Sequence, residues 1–270
     1  MGNLEHYVIR GGIEGRKRLK ILARIMHAGT ADLLKRANVS DGMACIDFGC
    51  GSGDVSIELS RLVGPSGKVV GADIDETKIE LARQEASQLG LSNLEFRVLD
   101  IRDTPSDFEF DVVYTRFLLT HLNDPAGAID SFYRHLKPGG LLVVEDIDFS
   151  GYFVFPESAA FQRFHELYST AVLRRGGDPN IGKRLPLLLK GKGFTDVDVS
   201  ITQPIGIEGE VKLMNPLTME SISQAVLEEG LATREEIAEL VQQLYDFAAE
   251  TNTMAGVPRV IQAWGRKPAA

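Results

Sequence analysis

The chain has 270 residues, 44% of them hydrophobic and 25% charged, which is the make-up of an ordinary globular protein and enough for one sizeable domain. Its 38 acidic and 29 basic side chains leave a formal charge of -9, which speaks against a protein that grips nucleic acid through phosphate contacts. No apolar run approaches the roughly 20 residues that span a bilayer, and Met1 to Arg10 is too polar and mixed for a signal peptide.

From the N-terminus, Tyr7, Arg10, Gly11 and Gly12 read as a mobile entrance. Residues 13–37 then read as a helix with Leu19, Leu22, Ala23, Ile25 and Met26 at its apolar positions, and as a lid. The short basic cluster Arg16-Lys17-Arg18 with Lys20 suits the solvated side of that helix. Short apolar runs alternating with helical patterns follow, the signature of a parallel sheet. The strands are expected at Ala44–Phe48, Lys68–Asp73, Leu94–Val98, Asp111–Thr115 and Leu141–Asp146, apolar on both faces as in a sheet covered by helices on both sides. Asp75 is placed to cap a helix carrying Ile79, Ala82, Ala86 and Leu89, with Gly90 ending it. Asp124-Pro125 opens the next, which Pro138-Gly139-Gly140 stops.

Residues 151–192 form an aromatic-rich insert with Tyr152, Phe153, Phe155, Phe161, Phe164 and Tyr168. A sixth strand is expected at Val197–Ile201. Asn215-Pro216 and the capping box Thr233 to Glu236 open two more helices, and Arg259–Trp264 forms a last strand. The chain thus divides into a lid (1–40), a core (41–150), a cap insert (151–192) and the end of the sheet with a helical insertion (193–270), all in one domain. Cys45 and Cys50 fit a reduced cytoplasmic interior, and the five histidines show no metal-ligand spacing.

The strongest local signal is Asp47-Phe48-Gly49-Cys50-Gly51-Ser52-Gly53-Asp54, between a strand and a helix. Glycine tolerates positive backbone dihedrals in such a turn and lets a ligand approach the backbone. The turn lies at the carboxyl end of a strand, where open α/β sheets bind ligands. Dinucleotide binding wants G-x-G-x-x-G. Here the third glycine comes one position early and Asp54 takes its place, unfavourably for a pyrophosphate and acceptably for a nucleoside without phosphates. Asp73, about 20 residues on, suits a carboxylate that accepts from ribose hydroxyls; a helix cap is the other reading, which Asp75 serves better.

With Leu99-Asp100-Ile101, Phe110 to Tyr114 and Leu136 to Gly140 added in order, residues 40–150 resemble the class I, Rossmann-like S-adenosylmethionine-dependent methyltransferases, particularly the small-molecule and quinone-biosynthesis type. The resemblance implies a doubly wound, mostly parallel seven-stranded α/β sheet, with Arg259–Trp264 as its one reversed strand, and S-adenosylmethionine as cofactor. Residue by residue it implies Gly49 and Gly51 under the methionine and ribose, Asp47 toward the amino group and Asp73 on the ribose. Ile74 would pack on the adenine, with Asp100 and the Ile101 amide at its edge. Thr115, Arg116 and Phe117 would line the methionine end. Arg18 would either pair with the cofactor carboxylate or lie on the surface.

His121 is the leading candidate for a general base, with a plain helix-start residue as the other reading. Glu145, Asp146 and Asp148 either touch an acceptor or are solvated strand ends, and Tyr152 and His165 are weaker candidates. Methyl transfer to a small-molecule acceptor is the expected activity. A methyltransferase acting on RNA or protein, and a cofactor-binding module without catalysis, are the other classes. A nicotinamide oxidoreductase is more distant.

Overall fold

The computed structural model describes residue 9, residues 12–102 and residues 109–269, with the backbone alone at 12–14 and 16. Tyr7, Arg10 and Gly11, the expected entrance, lie outside the described residues. The chain opens on α1 (Gly12–Arg36) and enters the alternation β1 (Ala44–Phe48), α2 (Asp54–Val63), β2 (Lys68–Asp73), α3 (Glu76–Gln88), β3 (Leu94–Val98), β4 (Phe110–Arg116), α4 (Pro125–Arg134) and β5 (Leu136–Asp148). It continues through β6 (Val154–Phe155), α5 (Ala159–Arg174), α6 (Leu185–Gly191), β7 (Thr195–Thr202) and β8 (Ile205–Gly206). It closes with α7 (Glu210–Glu228), α8 (Arg234–Ala249), β9 (Met254–Gly256) and β10 (Arg259–Arg266).

Seven strands form one sheet in the order β3-β2-β1-β4-β5-β10-β7. Its pairs are parallel except those of β10, which runs antiparallel to both β5 and β7. This is the doubly wound sheet with one reversed strand that the family resemblance implies. One face is covered by α4 and α6 around Phe48, Phe132 and Leu185, and the other by α2 and the end of α1 around Leu34, Leu59 and Tyr114. A third apolar cluster joins α1, α5, α7 and α8 through Met26, Phe161, Met219 and Leu240, and forms a helical cap over the carboxyl ends of the strands.

Local chemistry accounts for most element ends. The Asp75 side chain accepts from Lys78 N (3.2 Å), and that of Asp124 from Gly127 N (2.8 Å) with Pro125 in the first turn. Gly90 leaves α3 at φ +67°, and Thr233 and Glu236 complete their capping box. Two expectations need correction, and one feature was not foreseen. Pro138-Gly139-Gly140 does not end α4, which stops at Arg134. These residues bulge within β5, where the partners step from Phe110↔Leu136 to Val112↔Leu141. Asn215-Pro216 does not open a helix. It lies inside α7, which begins at Glu210 behind Gly209. A proline there deprives a carbonyl one turn earlier of its donor, but α7 buries Lys212, Met214, Leu217, Met219 and Ile222 on several faces, and that burial holds the helix together. Finally, two-residue strands β6 and β8 pair with β9 in a separate small sheet too short to announce itself in sequence.

Candidate active site

The glycine turn leaves β1 at Phe48. Gly49 N and Cys50 N donate to the Ala72 carbonyl of β2 (2.8 and 3.0 Å), which binds the turn to the next strand. Gly49, Gly51 and Gly53 all take positive φ, at +73°, +54° and +82°. A β-carbon on Gly51 would meet only Leu19 Cδ1, in ordinary van der Waals contact at 3.9 Å, and both residues line the cavity described below. A β-carbon on Gly53 would lie 2.5 Å from the Phe96 ring, so the third glycine serves the packing of α2 against β3 and α3. The two kinds of glycine are indistinguishable in sequence.

Asp73, at the end of β2, closes the turn from the far side. Its Oδ2 accepts from Gly51 N (2.9 Å) and its Oδ1 from Asp75 N (3.0 Å). An ionised carboxylate has about four acceptor positions, so each oxygen keeps capacity for a further donor.

Over this turn lies a cavity of about 570 Å³, a volume in the range of small-ligand sites. One end is lined by Asp73, Ile74, Asp100, Ile101 and Ser131. Ile74 is 39% exposed, which leaves part of its apolar side chain uncovered there. Asp100 forms a bidentate pair with Arg102 (2.5 to 3.1 Å) and accepts from its backbone N, and this bonding holds the Asp100 carboxyl below its ordinary range. The Arg102 side chain is 70% exposed, whereas that of Asp100 is 17% exposed and lines the cavity.

The middle of the cavity is charged. Asp47 is buried and accepts from Ser56 Oγ (2.6 Å); burial pushes its pKa up to about 7, against the lowering effects of that bond and of Arg116. Burial also raises Asp54 at the start of α2. Arg116 stands at the end of β4 with these carboxylates, and the next residue, Phe117, has φ +55°. A bulky side chain seldom takes that conformation. It turns the chain out of the strand and over the cavity, with the Phe117 ring 5.7 Å from the Arg116 guanidinium.

The far end is apolar. Phe149, Phe164, Tyr168 and Met214 line it, with Asn215 and Thr218 as polar members. Phe149 is stacked between Tyr168 (4.0 Å between ring centroids) and His165 (5.1 Å). Arg18 reaches this end from α1, buried, with its Nε donating to Thr218 Oγ1 (3.0 Å). His121, in a short 3-10 turn after β4, also lines the cavity. Burial, with the charges of Arg18 and Lys78, pushes its pKa down to about 3. Such an imidazole is neutral at physiological pH and a weakened base, which counts against the expectation of a general base, because proton transfer works best when the pKa lies near the working pH.

The structure brings Arg18, Asp47, Gly49, Gly51, Asp73, Ile74, Asp100, Ile101, Arg116 and His121 around one cavity. Phe117 lines it too, but Thr115 is buried with its hydroxyl donating to the Phe48 carbonyl (2.8 Å), and the acidic and insert candidates do not reach it. Glu145, Asp146 and Asp148 are fully buried and make internal bonds, because β5 does not end at Asp146 but runs on to Asp148. Burial pushes Asp146 up to about 7 while Ile147 N and Thr120 N donate to it, and Asp148 pairs with Arg259 and Lys183. Phe155 lies on the small sheet, 62% exposed. The Tyr152 ring packs on His165, whose Nε2 bonds the Phe149 carbonyl at 3.1 Å. The aromatic wall comes from Phe149 and α5 instead, and α7 supplies Met214, Asn215 and Thr218, which the sequence reading missed altogether. Among the described residues no group of three or more His, Cys, Asp or Glu side chains is placed to hold a metal, and no helix is long and apolar enough to cross a membrane.

Residues 39–175, just over half of the chain, match the family model described as a methyltransferase domain. The chain belongs to this family. The methyltransferase-family core runs from the strand before the glycine turn to the end of α5, so it contains the turn, Asp73, Asp100, Arg116 and His121. The chain is 35% identical over 164 residues to the ubiquinone/menaquinone biosynthesis C-methyltransferase UbiE of Escherichia coli, a stretch covering 58% of this chain and 63% of UbiE. The match therefore spans less than two thirds of that relative's length. Among solved structures, YcgJ of Bacillus subtilis superposes with a TM-score of 0.59 at 14% identity, covering 90% of this chain and all (100%) of that one. The phosphoethanolamine N-methyltransferase 2 of Haemonchus contortus, solved with S-adenosyl-L-methionine, superposes with a TM-score of 0.56 at 17% identity, covering 93% of this chain and 57% of that one. At such identities these likenesses establish the fold alone.

Proposed function

We propose that the protein binds S-adenosylmethionine over the glycine turn and transfers its methyl group to a small-molecule acceptor enclosed at the apolar end of the same cavity. The observation that carries this reading is the single cavity with two unlike ends, one built by Gly51 and Asp73 and the other by Phe149, Phe164, Tyr168 and Met214. Family membership and the identity to UbiE support it. The residues fit the cofactor: a β-carbon on Gly51 would fill the space over the turn, Asp73 retains acceptor capacity for ribose hydroxyls, and Asp47 and Asp54 suit a ligand carrying positive charge.

When bound, the cofactor supplies an electrophilic methyl group, so the protein's work is chiefly orientation. Asp73, Ile74 and Asp100 hold the nucleoside, and Asp47 faces the amino group. The apolar wall keeps water out and aligns the acceptor, a contribution worth roughly 7–11 kcal/mol in well-oriented systems. The N-terminal half of α1 acts as a lid through Arg18, Leu19 and Leu22, and residues 151–192 together with α7 form the acceptor cap. Free thiols at Cys45 and Cys50 accord with a reducing, cytoplasmic setting.

Calorimetric titration tests the reading directly. S-adenosylmethionine and S-adenosylhomocysteine are expected to bind, and NAD is not. Tight NAD binding with none to the sulfonium cofactor would overturn it. A tritium-methyl screen over metabolite extracts then identifies the acceptor. RNA is expected to show no appreciable affinity at physiological salt; a steep inverse salt dependence would report phosphate contacts and count against an enclosed acceptor.

Asp47 also sets a pH dependence. In the free protein its carboxyl, pushed up to about 7, holds a proton below that pH. A cationic amino group beside it favours the ionised form, so binding releases a proton and tightens as pH rises toward 7. Affinity is expected to rise by up to about tenfold per pH unit between about pH 5.5 and 7, and then to level. Asp47→Asn should flatten the rise. A dissociation constant that is equally flat in the unaltered protein would remove Asp47 from contact with the amino group.

A further inference from the structure

Beneath the cavity lies a buried polar network that the chemistry above leaves unused. At its centre is the Glu145 carboxylate, in β5. Its Oε1 accepts from the hydroxyls of Tyr114 (2.5 Å) and Thr30 (2.7 Å), and its Oε2 from Gln262 Nε2 (2.8 Å). All four side chains are buried. Thr30 belongs to α1, and its hydroxyl oxygen in turn accepts from Arg116 Nη1 (3.1 Å). Gln262 Nε2 also donates to the Gly29 carbonyl (3.1 Å). Two successive residues of α1 are therefore tied to the sheet. Gly29 makes that approach feasible, since a β-carbon there would lie 2.6 Å from Thr202 Oγ1.

A carboxylate placed this deep is unfavourable unless donors satisfy its lone pairs and a nearby cation balances its charge. Here three donors do the first and Arg116 the second, through a threonine that both donates and accepts. Removing any link leaves the others buried and unsatisfied, so the network has one low-energy arrangement.

We propose that Glu145 is a positioning residue: acting through Thr30, it holds the Arg116 guanidinium in the cavity wall, and with Gln262 it fixes the lid helix to the sheet at the same point. Arg116 has carboxylates on two sides, Glu145 below and Asp47 and Asp54 beside the cavity. Without the Thr30 relay the guanidinium turns toward Asp47 and Asp54 and competes with a cationic ligand for them. Only the ligand arm of the test below rests on the proposed cofactor reading.

The test uses Thr30→Val, which keeps the side chain's shape and leaves the bonds from Tyr114 and Gln262 to Glu145 in place, with Thr30→Ser as the conservative rescue. The first readout needs no ligand: the solvent exchange of the Arg116 guanidinium N–H signal in NMR, assigned by its loss in Arg116→Lys. Slow exchange is expected in the unaltered protein and in Thr30→Ser, and at least roughly tenfold faster exchange in Thr30→Val. The second readout is S-adenosylhomocysteine affinity, expected to fall roughly tenfold in Thr30→Val and in Glu145→Gln and to stay near its original value in Thr30→Ser. Unchanged Arg116 exchange in folded Thr30→Val overturns the proposal, even if the ligand binds. If the unaltered protein binds no S-adenosylhomocysteine while Arg116 responds as expected, the cofactor reading fails and the positioning role stands.

Discussion

Gly51→Val is expected to abolish cofactor binding, with a loss of at least a hundredfold in affinity for S-adenosylhomocysteine. The residue lines the cavity, and an added β-carbon would have Leu19 Cδ1 as its nearest neighbour, at 3.9 Å. Valine's methyl groups would therefore enter the cavity at the point where a ligand meets the backbone. The substitution has a second effect, since φ is +54° and a β-branched residue there carries strain of order 1–3 kcal/mol. For a chain of this size that lowers Tm by a few degrees, about 2–4 °C per kcal/mol, without unfolding it at room temperature. Gly90→Val separates the two effects. Gly90 has φ +67° and nothing within 4 Å of an added β-carbon, and it lies at the end of α3 away from the cavity. It should show a comparable loss of Tm and unaltered binding. Normal binding by folded Gly51→Val would mean that the turn does not approach the ligand.

Asp73→Ala is the second large effect, and it acts on two properties together. The carboxylate accepts from Gly51 N and Asp75 N, so it shapes the turn as well as facing the cavity. Alanine leaves both amides without their acceptor, at a cost of about 1–3 kcal/mol for each that stays buried. A loss of Tm is therefore expected alongside a loss in affinity of roughly a hundredfold or more. Asp73→Asn is the sharper experiment. Its remaining carbonyl oxygen preserves part of the turn, but the charge is gone, and bonds to charged acceptors are worth about 1.5–3 kcal/mol. Affinity should fall roughly ten- to a hundredfold with a smaller change in Tm. If Asp73→Asn binds as tightly as the original protein, the ribose hydroxyls are held by another residue.

The glycine turn, Asp73 and the caps at Asp75 and Asp124 could all be read from the residues themselves, because each depends on the conformational preferences of contiguous residues, whereas the reversal of the last strand was implied only by the family resemblance, since its direction is set by pairing with β5 and β7. A strand that must turn sharply at its carboxyl end needs glycine at particular positions, whatever surrounds it. Gly51 and Gly53 mark the limit of that logic. Both adopt left-handed backbone, yet one faces a cavity and the other a phenylalanine ring, and their identity as glycine conceals the difference. The same limit governs the acceptor wall. Phe149, Phe164, Met214 and Thr218 have the periodicity of core residues, and only the docking of α5 and α7 over the sheet exposes them to a shared space. Pro216 suggested a helix start, since proline suits a first turn; burial of α7 on several faces overrides that local preference. His121 and Glu145 show how environment assigns a side chain its chemistry. Desolvation beside two cations weakens the histidine as a base, and three donors converging from α1, β4 and β10 turn a plausible substrate contact into a buried anchor. Backbone geometry is encoded over a few neighbouring residues, whereas burial, charge balance and cavity shape arise only when elements distant in the chain pack together.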